Sequence, residues 1–262
     1  MSKKKLVSLA VVAIMIAILS FSTLAWFNAQ DKISNEFTVS DSMNDFDVDV
    51  WEIVKNKNGV QETIGRGNKD ENGYLYDNIA PGETYTKTVY VENTSNNDLA
   101  GQYIKAEVTF TNYKALKTMG TDSNAPYDCT GMLLGGSFCT SDSESDTCKW
   151  WYDSNNVVIS ADESTATYTF YLKDVLANGE SVALFERVQL PTSMDINDAD
   201  ALLNTTAKGF QIKVVAYAIQ SANIKDSAPG ATKLDHVKYA FDTEWANRKN
   251  PAPTTETTPS GE

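Results

Sequence analysis

From Phe46 onward the chain is written in short segments whose apolar residues fall on every second position. That period is the mark of strands with one face buried, and it constrains the fold more than any other feature. Phe46, Val48 and Val50 alternate with Asp47 and Asp49, and the strand is expected to run on through Trp51 to Val54. Ile104, Ala106, Val108 and Phe110 share one face of Tyr103 to Thr111. Tyr168, Phe170 and Leu172 do so in Thr165 to Leu172, and Val182, Leu184 and Val188 in Ser181 to Leu190. Phe210, Ile212, Val214, Ala216 and Ala218 mark the longest strand, Phe210 to Gln220. Tyr85 to Glu92 is rich in β-branched and aromatic residues and follows a Pro81-Gly82 turn. Seven or more such strands with few helices predict an all-β fold, an antiparallel β-sandwich. A jelly roll and an immunoglobulin-like sandwich both satisfy the pattern.

Helical spacing is rare. Leu234, Val237, Phe241 and Trp245 predict an amphipathic helix over Leu234 to Arg248, and Ile196 to Leu203 reads as a short one. Residues 118–147, rich in Gly, Ser, Asp and Cys, read as an insertion or long loop. Asn250 to Glu262 is rich in Pro and Thr and reads as a disordered tail or spacer.

The beginning of the chain bears on compartment. Lys3 to Lys5 precede an apolar run from Leu6 to Leu24, with small residues at Thr23 and Ala25. This is the layout of a signal peptide over 1–25, cut between Ala25 and Trp26. An uncleaved anchor is the other reading, since about 20 apolar residues span a bilayer. A secreted protein, in the extracellular matrix or at the cell surface, is expected, with membrane contact only before cleavage. In that setting Cys129, Cys139 and Cys148 invite a disulfide, and their odd number leaves one thiol over. Their spacing lacks the short Cys pair of a zinc site.

Charge and composition exclude several function classes. Against 22 Lys and Arg stand 35 Asp and Glu, a net charge of −13, so phosphate backbones are repelled and no nucleic-acid partner is expected. With His236 the only histidine, a His-based zinc protease has no ligand set. No catalytic residues, no metal and no cofactor are assigned. Asp45, Asp47 and Asp49 offer carboxylates to calcium, but read more simply as the solvated face of a strand. Asn68, Asp70, Asn72 and Gly73 imitate the start of a calcium loop, yet Ile79 stands where its closing Glu belongs, and a hairpin turn is the better reading. Trp150, Trp151 and Tyr152 form an aromatic cluster that reads either as core or as a flat platform for glycans.

Several stretches in order support a resemblance. Leu24-Ala25-Trp26-Phe27-Asn28 is followed by Asn35-Glu36-Phe37-Thr38-Val39. Ile79-Ala80-Pro81-Gly82-Glu83 then runs into Tyr85 to Asn93, and Phe210 to Gln220 ends in Ala218-Ile219-Gln220. Together they resemble the TasA/camelysin family of secreted bacterial proteins, exported with a SipW-type signal peptide. The sequence departs from the family pattern at Val39-Ser40-Asp41, where a glycine is usual. The resemblance implies a jelly-roll domain, here residues 40–249, that assembles into biofilm-matrix fibres by a process like donor-strand exchange. Its partners would be further copies of itself, head to tail, a signal peptidase and an accessory matrix protein. The peptidase activity attributed to camelysins is not carried over.

The donor segment implied is 26–39, with Trp26, Phe27, Ile33, Phe37 and Val39 as its apolar residues. Phe27, Ile33, Phe37 and Val39 share one parity, so one face of an extended strand can carry them. Such a segment can add to an open sheet edge of the next subunit, and a head-to-tail contact of this kind builds filaments. It can also fold back onto its own domain as an edge strand. The acidic surface should make assembly respond to salt, pH and divalent cations. A secreted carbohydrate- or surface-binding module that uses the aromatic cluster is the alternative function.

Overall fold

The computed structural model describes residues 38–39, 48–55, 58–65, 81–95, 101–118, 128–140, 147–154, 156–194, 210–221 and 232–245. Within them the chain is all-β, two sheets face to face with a few short helices. One sheet has seven strands, in the order β1 (Thr38–Val39), β12 (Ile212–Gln220), β5 (Gln102–Thr111), β10 (Thr165–Leu172), β8 (Trp150–Tyr152) and β7 (Phe138–Cys139), with β9 (Val158–Ile159) also on β10. The other has five, in the order β3 (Gln61–Ile64), β2 (Val48–Lys55), β4 (Thr84–Asn93), β11 (Ser181–Gln189) and β6 (Leu133–Leu134). Pairing is antiparallel except at β1–β12 and β7–β8, which are parallel.

Alternation decides what lies between the sheets. Ile104, Ala106, Val108 and Phe110 of β5 meet Ile212, Val214 and Ala216 of β12 in one core, and all are fully buried. Tyr168 and Phe170 of β10 join them, as do Val50, Val54, Val89 and Val91 from the facing sheet. In β11 the alternation breaks at irregularities between Ala183 and Arg187, which lets both Leu184 and Phe185 reach the core. Pro81-Gly82 forms the expected turn before β4. Gly82 has φ +73°, donates its N–H to the Leu190 carbonyl at 3.2 Å, and leaves no comfortable room for a Cβ beside Thr192.

Several expectations need correction. The segment 118–147 is not simply a loop. After α1 (Tyr113–Thr118), a 3-10 turn at Cys129–Met132 leads into β6, which joins the five-stranded sheet, and β7, which joins the seven-stranded one. Asp49 is not on a solvated face. It is 3% exposed, because the outer side of β2 is covered as well as the inner. Trp51, its neighbour on that outer side, stacks on Tyr90 at 4.3 Å and donates Nε1–H to Glu92 Oε2 at 2.7 Å. The C-terminal helix starts where expected, at α2 (Lys233–Tyr239), with Thr232 and Asp235 forming a capping box, but widens into a π-helical turn over Ala240–Trp245. Asp45, Asp47, Asn68 to Gly73, Ile196 to Leu203 and the tail from Asn250 lie outside the described residues.

Candidate functional site

The two lateral edges of the seven-stranded sheet differ in construction, and the predicted donor segment ends on one of them. β12 is a long, well-supported strand. It pairs with β5 along its whole length, from Ile212 opposite Phe110 to Gln220 opposite Gln102. Its far end is held where the Ser221 N–H and hydroxyl both donate to the Gly101 carbonyl at 2.9 Å. α2 covers the outer face of the sheet, where Ile219 packs with Trp151, Tyr171, Val237 and Phe241. Beside it, Lys105 Nζ lies 4.4 Å from the Tyr217 ring and 2.9 Å from Glu107 Oε1, while the Tyr217 hydroxyl donates to Glu107 Oε2 at 2.9 Å. Burial, and the Glu107 carboxylate, push the Tyr217 phenol above its ordinary value.

Onto the outer edge of this strand is laid β1. Thr38 takes register with Val215 and Val39 with Ala216, in parallel. Val39 is thus the one residue of the predicted donor set that the structure describes. It stands in register with Ala216, whose side chain belongs to the inter-sheet core. Ala25, Trp26, Phe27, Ile33 and Phe37 lie outside the described residues. The fold-back alternative matches what one copy does with residues 38–39.

The opposite side is closed by the cysteine-bearing segment. Cys139 and Cys148 form a disulfide, and Cys129 is the remaining thiol. Phe138 and Cys139 pair with Trp150 and Trp151, so the disulfide sits beside the β7–β8 joint. The backbone N–H of Cys129 donates to the Tyr168 hydroxyl at 3.0 Å, which pins the start of the segment to β10. Burial pushes the Cys129 thiol up to about 12, so it is a packed, unreactive group. Tyr168 and Tyr152 are likewise raised, chiefly by burial.

Trp150, Trp151 and Tyr152 are not an exposed platform. They are 0%, 2% and 7% exposed. β8 has covered ground on both faces: Trp150 and Tyr152 enter the inter-sheet core, and Trp151 lies under α2. Trp150 also reaches across the sandwich, where its Nε1–H donates to the Ala183 carbonyl of β11 at 2.9 Å. Flat rings that are spent on packing leave no face for a sugar, which withdraws the support for a glycan-binding role.

One group escaped the sequence reading. Lys87 and Glu52, on adjacent strands of the five-stranded sheet, form an ion pair on its core-facing side, both fully buried. The available signal was parity, since Lys87 shares its face of β4 with Val89 and Val91. Among the described residues, no cluster of three or more His, Cys, Asp or Glu is placed to hold a metal ion. Comparison of the chain with protein-family models, with curated proteins and with solved structures finds no match.

Proposed function

We propose that the chain is a secreted structural protein that polymerises head to tail into extracellular matrix fibres. In this reading the arm at 26–39, freed by cleavage between Ala25 and Trp26, leaves its own copy and completes the sheet of the next. The role is mechanical, without catalysis or cofactor, and its partners are other copies, a signal peptidase and an accessory matrix protein. Jelly-roll connectivity and membership of the TasA/camelysin group belong to the same proposal.

The observation that carries it is the β1–β12 pairing. The end of the arm meets β12 at Val215 and Ala216, a short contact on a nine-residue strand. Main-chain pairing at an edge works equally well from the same chain or from another. A strand rigidly supported by β5 behind it and α2 over it is a suitable acceptor.

Electron microscopy of the chain from Trp26 to Glu262, beside a chain that begins at Ser40, tests this. Fibres are expected from the first and none from the second. Fibres of equal yield from both sink the donor role.

A further inference from the structure

Glu52 on β2 and Lys87 on β4 lie inside the sandwich, both 0% exposed, with Lys87 Nζ 2.5 Å from Glu52 Oε2. Register explains the meeting. Glu52 stands opposite Val89, and Val54 opposite Lys87. The two charged residues thus occupy one diagonal of a square and two valines the other, and long side chains reach along such diagonals. The valines are fully buried members of the inter-sheet core. For stability alone such a pair gains little, because the cost of desolvating both charges offsets their attraction.

The same arrangement is well suited to condensation. An amine and a carboxyl carbon fixed within contact react with effective molarities of about 10⁵ to 10⁸ M. Burial excludes the water that would reverse the reaction, and the neutral amide product removes two charges from an apolar core. Burial also holds the Lys87 ammonium below its ordinary value, against the raising influence of Glu52, which brings the free amine within reach.

We propose that Lys87 and Glu52 join in an intramolecular isopeptide bond that ties β2 to β4 on their core-facing side. A proton passes from Nζ to the Glu52 carboxylate, and the amine lone pair adds to Cδ. Collapse of the adduct breaks one Cδ–O bond, and that oxygen leaves as water with a second proton from Nζ. One N–C bond forms, one C–O bond breaks, and nothing is oxidised or reduced. Glu62 of β3, a half-buried residue, takes register with Val54 of β2, diagonal to Glu52, and in this proposal it would relay the departing proton. The bond would close residues 52–87 into a covalent loop that contains β3. It would also secure the first long strand after the arm against pull. It concerns the inside of one copy and stands or falls independently of assembly.

Intact mass of the full chain decides the matter, taken against the mass calculated for its measured N-terminus with the Cys139–Cys148 disulfide closed. The native chain should be lighter by one water, and a digest should yield a branched peptide that joins the segments bearing Lys87 and Glu52. Glu52→Gln should be lighter by one ammonia, since the amide nitrogen then departs. Lys87→Arg should have its full calculated mass. Glu62→Gln should slow the appearance of the branched peptide, and an unchanged rate removes Glu62 from the mechanism. A native chain of full mass after long incubation, with Lys87 and Glu52 in linear peptides, overturns the proposal even if every variant fails to fold.

Discussion

Among the described residues, the sandwich is closed on one side and lightly covered on the other. On the closed side β6 and β7, both from the cysteine-bearing segment, extend the two sheets at once; a disulfide ties β7 to Cys148, and the Trp150 indole bond joins the neighbouring strands β8 and β11 across the sandwich. On the other, β12 is met by a parallel strand of two residues. Edge strands invite pairing with other chains, and proteins that must stay monomeric cover or break them. One edge here is covered by covalent and core interactions, the other by a contact that main-chain pairing alone can replace. The comparison teaches a division of labour: stability should depend on the closed side, and assembly on the other.

The sharpest way to break that division is Trp150→Ala. The side chain is fully buried and donates across the sheets to Ala183, so its loss leaves a cavity and an orphaned carbonyl. A cost of about 3–5 kcal/mol is expected in urea unfolding. Trp150→Phe keeps most of the packing and should cost about 1–3 kcal/mol. Wherever the variant remains folded, its competence to assemble should be unchanged; a folded Trp150→Phe protein that cannot form fibres breaks the division.

Alkali should act on the same side. The Cys129 thiol is raised from 9.0 to about 12 by burial, and Tyr168 and Tyr152 around it are raised as well. A folded value above the unfolded one means that the native state holds its proton more tightly. The stability this contributes is complete below about pH 9, and is lost as pH climbs toward 12. Denaturant midpoints recorded from pH 8 upward should fall in that window, and Cys129 should resist alkylation until the sandwich opens. A thiol that reacts rapidly in the native protein contradicts the packing described for it.

Which parts of this design are written in the sequence follows from how local their causes are. The parity of Ile104 to Phe110 and of Ile212 to Ala218 is visible because each strand repeats its own reason for alternating. β6 and β7 were not legible. Each is two residues long in a segment rich in Gly and Ser, and each exists because β11 or β8 offers it an edge. Three cysteines allow three pairings, and only the fold brings Cys139 to Cys148 while Cys129 is drawn under Tyr168. The burial of Asp49 was hidden for a related reason: a strand covered on both faces still shows alternation, and the covering elements lie far away in sequence, whereas the core reading of Trp150 to Tyr152 was already open in the sequence. Of the candidate site, only Thr38 and Val39 of the expected segment fall among the described residues, as a short strand on β12. Lys87 was not singled out, although it stands between Tyr85 and Val89 on the inward face of β4.

The disulfide gives the next prediction. Its nine-residue separation makes the closed loop short, which corresponds to about 2–3 kcal/mol in the chain-entropy account. The paired substitution Cys139→Ser and Cys148→Ser should lower the urea midpoint by that much and leave fibre yield alone. If fibre yield falls while the monomer stays folded, the closed side takes part in assembly and the division is wrong.

The smallest effect on stability is expected where the effect on assembly is largest. Two register pairs join β1 to β12. About two backbone hydrogen bonds return roughly 1–3 kcal/mol, while fixing two residues costs roughly 2–4 kcal/mol. The described part of the arm, Thr38–Val39, is therefore held at close to no net gain, and its loss from a chain beginning at Ser40 should by itself change the unfolding free energy by under about 1 kcal/mol. The same balance is what exchange needs. A strand that costs little to lift from its own sheet can be replaced by the same strand of a neighbour with almost no backbone penalty, so that concentration and the residues preceding Thr38 decide the outcome. A chain beginning at Ser40 whose urea midpoint drops as far as that of Trp150→Ala would mean that the arm is an integral part of its own sandwich, too firmly held to be passed on.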